Sequence, residues 1–366
     1  MKEEAFILDK KTIMEKIRTL TVIEPLITLT NNAFKKNDKR IKSQQIKKAI
    51  VATIAGDGTA GFLDGSTLTA KFKSPLDVAV FADGIIYVAD AFNSRIRKIE
   101  DGQVTTFAGN GNANITNGNS TAARFKIPSR LALDVAGNLY TLDAADPRVR
   151  KITPEADVSI LAGTNAFGFK DGKSATAQFG QSFGIVTDLQ GNIYIADSQN
   201  DRIRKISIAG NVTTIAGTGK QGFVNGKAHA AQFHFATGIA IDKQGNIFVS
   251  DVSCIRKITP EGFVSTFAGS NQKGYADGRR GAGQFSQIED MIIDEQGNIY
   301  VTDEHRVRKI TPQGVVSTIA GSHAGYKDGH GTSAKFNGPQ GLGIDKEGSI
   351  YVADFNNNRI RKISFA

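Results

Sequence analysis

The sequence predicts an all-β fold: a six-bladed β-propeller with four antiparallel strands in each blade. Three observations predict it. One unit of 52 to 54 residues recurs along most of the chain. Each unit holds short apolar runs separated by turn residues, which is typical of strands. The chain also begins its repeats with the end of a unit and stops before completing the last one, as in a ring that closes by pairing these two segments.

The second and third strands of each unit show the repeat most clearly. The second-strand motif is IYVAD at 86–90, LYTLD at 139–143, IYIAD at 193–197, IFVSD at 247–251, IYVTD at 299–303 and IYVAD at 350–354. Each is followed by a third strand such as RIRKI, whose lysines are Lys98, Lys151, Lys205, Lys257, Lys309 and Lys362. This spacing predicts one supersecondary unit built six times.

The other two strands flank these motifs. The first strand is short and apolar, as in TGIAID at 237–242, and a turn such as DKQGN at 242–246 leads into the second strand. Asp and Gly suit such a turn because Asp bonds its own backbone and Gly accepts a positive φ. The fourth strand follows a turn such as TPEG and reads VSTFAG in the fourth unit.

A longer connector, such as GFKDGKSATAQF, leads from each fourth strand to the next unit. It closes on an aromatic anchor, which we expect to fill the seam between neighbouring blades because a large ring buries much apolar surface. The anchors are Phe72, Phe125, Phe179, Phe233, Phe285 and Phe336.

The two ends of the repeat region complement each other. Residues 49–56 read AIVATIAG, a fourth strand without a unit before it, and the chain ends in KISFA directly after a third strand. We therefore expect residues 49–56 to complete the last blade by pairing with residues 359–364. Such pairing hydrogen-bonds two strand edges that would otherwise be exposed.

The combination of V-x-T-x-A-G, G-[FY]-x-[DN]-G, Y-V-A-D and N-x-R-I-R-K-I resembles bacterial NHL-repeat propellers over residues 49–366. The resemblance implies the propeller fold. It implies no single activity, since the family includes extracellular sensor domains, RNA-binding regions of tripartite-motif proteins and a few lyases. The zinc-binding histidines of the family's amidating lyases have no matching pattern here, because the five histidines occupy unlike positions in the repeat.

Two recurring sets of charged residues have structural and functional interpretations. The third-strand cations could form a phosphate-binding ring, but equal recurrence favours ion pairs with the aspartates that end the second strands. The Asp-Gly pairs of the connectors could suggest calcium. Two connectors have Asn117 and Asn225 instead, and the alternating acidic ligands of a calcium loop are absent, so a turn is favoured.

The first strands depart from the repeat and supply the candidate site. At one aligned position three units keep Gly, whereas the others carry Asp77, Arg130 and Asp290. The preceding position includes Glu289 and Gln340. These side chains are expected at the mouth of the central channel, where a ligand site is predicted. The alternative is a channel entrance whose charges neutralise one another.

Residues 1–48 do not fit the repeat and form a predicted basic extension, partly helical or disordered, ahead of the propeller at 49–366. Residues 1–50 carry 12 Lys/Arg and six Asp/Glu, against 33 and 30 in the remainder. The high pI is therefore mainly a property of the extension, and the nearly neutral body disfavours nucleic acid as a partner.

The function predicted is binding or scaffolding, with a face and the channel mouth presented to a protein or small ligand. A metal-assisted lyase or hydrolase at the channel mouth and an RNA-binding propeller are the alternatives. No catalytic residue, metal ligand or cofactor is assigned, and we expect a monomer. No transmembrane segment or signal peptide is visible in the chain. A cytoplasmic location is expected, or an extracellular one if a leader was removed.

Overall fold

The computed structural model describes residues 48–366 except Ala82 and Asn271. The prediction for residues 1–48 therefore lies outside the described residues, apart from Lys48. The first strand is β1 (Ala49–Ala55). Blades 1 to 3 contain β2 (Gly65–Ser66), β3 (Asp77–Val80), β4 (Ile86–Asp90), β5 (Arg95–Glu100) and β6 (Gln103–Ala108); β7 (Gly118–Asn119), β8 (Pro128–Leu133), β9 (Leu139–Asp143), β10 (Asp146–Ile152) and β11 (Asp157–Ala162); β12 (Gly172–Lys173), β13 (Gly184–Thr187), β14 (Ile193–Asp197), β15 (Arg202–Ile206) and β16 (Asn211–Ala216).

Blades 4 to 6 contain β17 (Gly226–Lys227), β18 (Ile239–Ile241), β19 (Ile247–Asp251), β20 (Cys254–Ile258) and β21 (Phe263–Gly269); β22 (Gly278–Arg279), β23 (Ile288–Ile293), β24 (Ile299–Asp303), β25 (Arg306–Ile310) and β26 (Val315–Gly321); β27 (Gly329–His330), β28 (Pro339–Ile344), β29 (Ile350–Asp354) and β30 (Arg359–Phe365). Short 3₁₀ helices occupy Ala91–Asn93, Ser120–Ala122, Ser174–Thr176, Ser198–Asn200, Arg280–Ala282, Gly331–Ser333 and Phe355–Asn357.

The predicted six-bladed all-β fold is confirmed, with one addition to each blade. Each sheet has five strands, because a two-residue strand of the connector pairs with the outer strand; in blade 1 the order is β2-β6-β5-β4-β3. Gly65 pairs with Val104, and its φ of +132° is a conformation that side-chain-bearing residues rarely adopt. The Gly of the connector motif therefore starts a short fifth strand as well as a turn.

The last blade combines both ends of the described chain. β1 pairs antiparallel with β30, with Ile50 opposite Ser364, and takes the place of the fourth strand in the order β27-β1-β30-β29-β28. The Lys48 N–H donates to the Ala366 carbonyl at 2.8 Å, so the pairing continues to the last residue.

Six apolar clusters form the core, each centred on one anchor phenylalanine, as predicted. The cluster around Phe233 contains Tyr194 and Ile203 of blade 3 together with Ile247 and Ile258 of blade 4. The core therefore lies in the seams between blades. The six anchors are each at most 1% exposed: Phe72, Phe125, Phe179, Phe233, Phe285 and Phe336.

The innermost strands, called the inner strands here, are β3, β8, β13, β18, β23 and β28. Together they line a central cavity of about 240 Å³. The end of the ring where the inner strands begin is called the mouth face, and the end where they finish is called the far face. Asp77, Arg130 and Asp290 line the cavity and lie in the first three residues of their strands, so they mark its mouth end.

Candidate functional site: the mouth of the central channel

Each inner strand is the edge strand of its sheet. The backbone N–H and C=O groups on its free edge, which faces the central axis, have no further strand of that sheet to pair with. Asp77, Arg130 and Asp290, called the hub here, lie among these edges and are only 3%, 3% and 8% exposed. Buried backbone and charged groups both need hydrogen-bond partners. The hub side chains and the backbone groups of neighbouring inner strands act as hydrogen-bond partners for one another.

Asp77 ties blade 1 to blade 2. Its Oδ2 accepts the backbone N–H of Leu131 at 2.7 Å, and its Oδ1 accepts that of Val78 at 2.8 Å. Asp290 makes the corresponding tie from blade 5 to blade 6, because its Oδ2 accepts the Leu342 N–H at 2.9 Å. Two carboxylates thus satisfy donors on the inner edges of the next blades.

Arg130 satisfies acceptors in the same way. Its Nε donates to the Phe183 carbonyl of blade 3 at 2.8 Å, and its Nη2 donates to the Glu289 carbonyl of blade 5 at 3.1 Å. Nη1 donates to the Ser129 carbonyl of its own blade at 3.1 Å. The guanidinium therefore joins three blades through backbone oxygens.

The charges of the hub interact electrostatically. Burial raises the pKa of Asp77 well above its ordinary value, and the nearby Asp290 carboxylate raises it further, while Arg130 opposes the shift. Burial also raises the pKa of Asp290, which Arg130 again opposes. The alternative in which the entrance charges offset one another therefore describes part of this geometry.

Glycines occupy the hub-equivalent position where blade 6 meets blade 1 and where blade 3 meets blade 4. The Gly341 N–H donates to the Leu76 carbonyl at 2.9 Å, which joins blade 6 directly to blade 1. A Cβ at Gly341 would collide with the Asp77 carboxylate, and one at Gly184 would collide with the Thr237 carbonyl. These positions keep Gly because neighbouring backbones approach closely there.

Glu289 and Gln340 lie beside the hub and are half-buried. One carboxylate oxygen of Glu289 accepts a hydrogen bond from the Gln287 side-chain amide. The Gln340 backbone carbonyl accepts from the Thr302 hydroxyl at 2.7 Å. Of the five predicted site residues, these two present side chains at the surface, whereas the three hub residues form the floor beneath.

The middle arginines of the third strands bind acidic or amide side chains inside their own blades. The middle arginine of each third strand is completely buried; in blade 3, Arg204 binds Asp197 at 2.7 Å and the connector residue Asp171 at 2.6 Å. Five of the six also bind the aspartate that ends the second strand. The connector Asp or Asn is thus a partner of a buried guanidinium, which accounts for its recurrence without calcium. Among the described residues, no cluster of His, Cys, Asp and Glu has the arrangement of a metal site.

The sequence relationships agree with this architecture. A family model described as the teneurin NHL domain matches residues 104–289, more than half of the chain, and one described as the NHL repeat matches residues 72–99 and 336–363. The chain belongs to the NHL-repeat family.

This NHL chain is similar to segments of much longer proteins. The Arabidopsis thaliana protein SUPPRESSOR OF QUENCHING 1, chloroplastic, is 32% identical over 221 residues, which cover 56% of this chain and 21% of that protein. Teneurin-3 of Mus musculus is 26% identical over 369 residues, covering 86% of this chain and 13% of that protein. The NHL chain therefore spans about a fifth or less of the length of these relatives.

A solved structure shares the fold. An auxiliary nutrient binding protein from Bacteroides thetaiotaomicron aligns with a TM-score of 0.65 at 17% identity, over 87% of this chain and 77% of that one. This likeness concerns the propeller fold alone. Within the part of the NHL chain that is described, no helix is long and apolar enough to span a membrane.

The sequence interpretation missed an aromatic pair at the mouth of the NHL propeller, formed by Phe183 of blade 3 and Phe235 of blade 4. Their ring centroids lie 5.5 Å apart, and Phe235 is 45% exposed. Phe235 has a φ of +54°, and its N–H donates to Asp201 at 2.8 Å. The sequence did contain a signal for Phe235, because a large ring stands two residues after the anchor where blade 1 has Ser74. Ser74 has a similar φ of +50°.

The far face of the NHL propeller carries a larger groove, of about 600 Å³, beside the seam of blades 3 and 4. Ile215 and Tyr194 line it, at the positions where Phe107 packs on Tyr87 in blade 1 with the ring centroids 4.8 Å apart.

Proposed function

We propose that this chain is a binding propeller that presents its mouth face to a protein or small ligand. The observation that carries the proposal is the exposed Phe235 ring, held in a left-handed backbone conformation above a closed hub. The same left-handed turn carries Ser74 in blade 1 and Gly338 in blade 6, so the large exposed ring is what sets blade 4 apart, and bulky residues rarely adopt such a φ. Glu289 and Gln340 add polar groups beside the ring, while Asp77, Arg130 and Asp290 provide a rigid floor.

The hub geometry favours binding over metal-assisted catalysis. The carboxylate oxygens of Asp77 and Asp290 accept backbone N–H groups, and Arg130 contributes a positive charge beside them. A metal ion would have to displace those donors and sit near a guanidinium. A structural neighbour that is an auxiliary nutrient binding protein is compatible with a binding function.

RNA binding is also less favoured. The six middle arginines are buried and engaged within their blades, so they offer no contacts to phosphates. The remaining charge of residues 51–366 is nearly balanced, whereas nucleic-acid binding draws on a basic surface.

A thermal-shift screen with metabolites and short peptides tests the proposal, using three versions of the protein. Phe235→Ser removes the mouth ring and introduces the residue that blade 1 carries at the equivalent position and a similar φ. Phe263→Asn is the control, because Phe263 is 51% exposed at the start of β21, where blade 3 has Asn211. Ligands should raise the melting temperature of wild type and Phe263→Asn, and raise that of Phe235→Ser less.

Ligands that shift wild type and Phe235→Ser equally, but lose their effect in Phe263→Asn, would contradict the proposal. That pattern would move the binding site to the far face, where the groove between blades 3 and 4 lies.

A further inference from the structure

One guanidinium holds the backbones of an aromatic residue and an acidic residue at the mouth. Arg130 bonds the backbone carbonyls of both Phe183 and Glu289, at 2.8 and 3.1 Å, so both backbones approach a single planar group. Thr237, between them on blade 4, donates its hydroxyl hydrogen to the Ile288 carbonyl at 2.8 Å. Blades 3, 4 and 5 are therefore tied closely at this sector of the mouth.

The two aromatic rings offer surface to a ligand. Phe235 is 45% exposed and Phe183 is half-buried. Their planes are inclined at 45°, so the pair is not stacked face to face. An aromatic face carries negative potential and attracts an organic cation within about 6 Å of the ring centre.

Glu289 supplies the matching negative charge. The Asp77 and Asp290 carboxylates are buried and accept backbone N–H groups, whereas Glu289 is half-buried and its described side-chain partner is the Gln287 amide. A carboxylate with remaining acceptor capacity can bind the N–H groups of an ammonium or guanidinium.

The surroundings do not oppose a cation. The hub beneath contains one guanidinium and two carboxyl groups, so it adds no net positive charge when at least one carboxyl is ionised. Lys73 and Lys126 each directly follow an anchor phenylalanine. They belong to blades 1 and 2, away from the sector formed by blades 3 to 5. The equivalent residue in blade 4 is His234, which is neutral at pH 8, and the nearby Arg202 donates to the Asn200 and Thr218 carbonyls.

We propose that the sector formed by Phe183, Phe235 and Glu289 binds an organic cation, either a small ammonium compound or a Lys or Arg side chain of a peptide. This inference rests on the proposed mouth-face binding function and names its ligand chemistry. The aromatic pair contacts the alkyl or planar surface of the cation, and Glu289 accepts its N–H groups or neutralises its charge.

The test compares cations with neutral molecules of the same shape by ligand-observed NMR titration at pH 8. Choline is paired with 3,3-dimethylbutan-1-ol, and a short lysine peptide is paired with the same peptide acetylated on Nζ. Each cation should bind wild type more tightly than its neutral partner, by roughly three- to thirty-fold. Stronger binding of choline than of the peptide would indicate a small ligand, and the reverse would indicate a peptide.

Variants assign the effect to this sector. Phe235→Ser and Glu289→Gln should each weaken cation binding by roughly three- to thirty-fold. Phe263→Asn and Glu295→Gln are the far-face controls, the Glu295 side chain being 76% exposed, and they should bind as wild type does.

Absence of cation binding to wild type in the millimolar range would overturn the inference. So would equal affinity for cations and their neutral partners, or equal affinity of wild type and Glu289→Gln for cations. A neutral ligand that loses affinity in Phe235→Ser but not in Glu289→Gln would overturn the cation assignment while supporting the mouth-face function. The two proposals therefore fail separately.

Discussion

The propeller buries charge in two different ways. In blade 3, Arg204 joins the third strand to the end of the second strand and to the connector through Asp197 and Asp171. The hub is built once, from residues of different blades, and its bonds run to backbone groups of neighbouring inner strands. Recurring charges therefore hold each blade together, whereas the non-recurring charges hold the blades to one another.

Blade 2 shows what the recurring network loses when one partner changes. Arg150 binds Asn117 and two connector carbonyls, and its Nε has no hydrogen-bond partner among the described residues. Asp143 instead accepts backbone N–H groups of Lys126, Ile127 and Ala145. Burial lowers the pKa of Arg150 to about 10. The same buried arginine thus sits in a poorer set of acceptors.

The largest expected effect contrasts these two arginines. Arg204→Met should lower the free energy of unfolding by about 3–5 kcal/mol, because Asp197 would be left buried without its guanidinium. Arg150→Met should cost clearly less, since no carboxylate depends on it directly. Urea unfolding of both variants measures the difference. Equal losses would show that the arginines act mainly through their packing on the anchor rings.

The second prediction addresses the hub. Arg130→Met should lower the free energy of unfolding by about 2–4 kcal/mol, since three backbone carbonyls lose a charged donor and two carboxylates lose their nearest positive charge. Lys126→Met on the same blade is a control, because Lys126 is less buried and donates to one carbonyl. A loss no larger than the control's would contradict a role for Arg130 in joining the blades.

The sequence was most informative where the same physical requirement recurs six times. The six anchor phenylalanines identified every seam, because each seam needs one large apolar side chain at the same place. The unmatched strand at 49–56 indicated a complement at the end of the chain, and β1 does pair with β30. Periodicity made these features visible without any knowledge of side-chain contacts.

Features that occur once were harder to predict. The sequence identified Asp77, Arg130 and Asp290 as departures from the repeat, but it did not indicate that their partners would be backbone groups of other blades. Whether the mouth residues bind a ligand stays a prediction. Phe235 was overlooked because its aromatic character resembles that of the anchor two residues earlier, although the anchor is buried and Phe235 is 45% exposed.

The smallest expected effect is a change in the pH dependence of stability caused by the hub. Burial raises the pKa of Asp77 above its ordinary value of 3.8, so the native state holds this proton more tightly than the unfolded chain. Stability from this group is greatest below that ordinary value and is lost as pH rises through the native pKa, with a slope of at most about 1.4 kcal/mol per pH unit. Asp77→Asn removes the titration and also lowers stability at acidic pH, because an amide NH₂ replaces one of the two oxygens that accept backbone N–H groups. The advantage of wild type over Asp77→Asn should therefore shrink from pH 4 upward, as measured by urea unfolding at several pH values. Asp83→Asn provides the control, because Asp83 is exposed. If the advantage of wild type over Asp77→Asn grows with pH instead, Arg130 stabilises the Asp77 carboxylate more than burial penalises it.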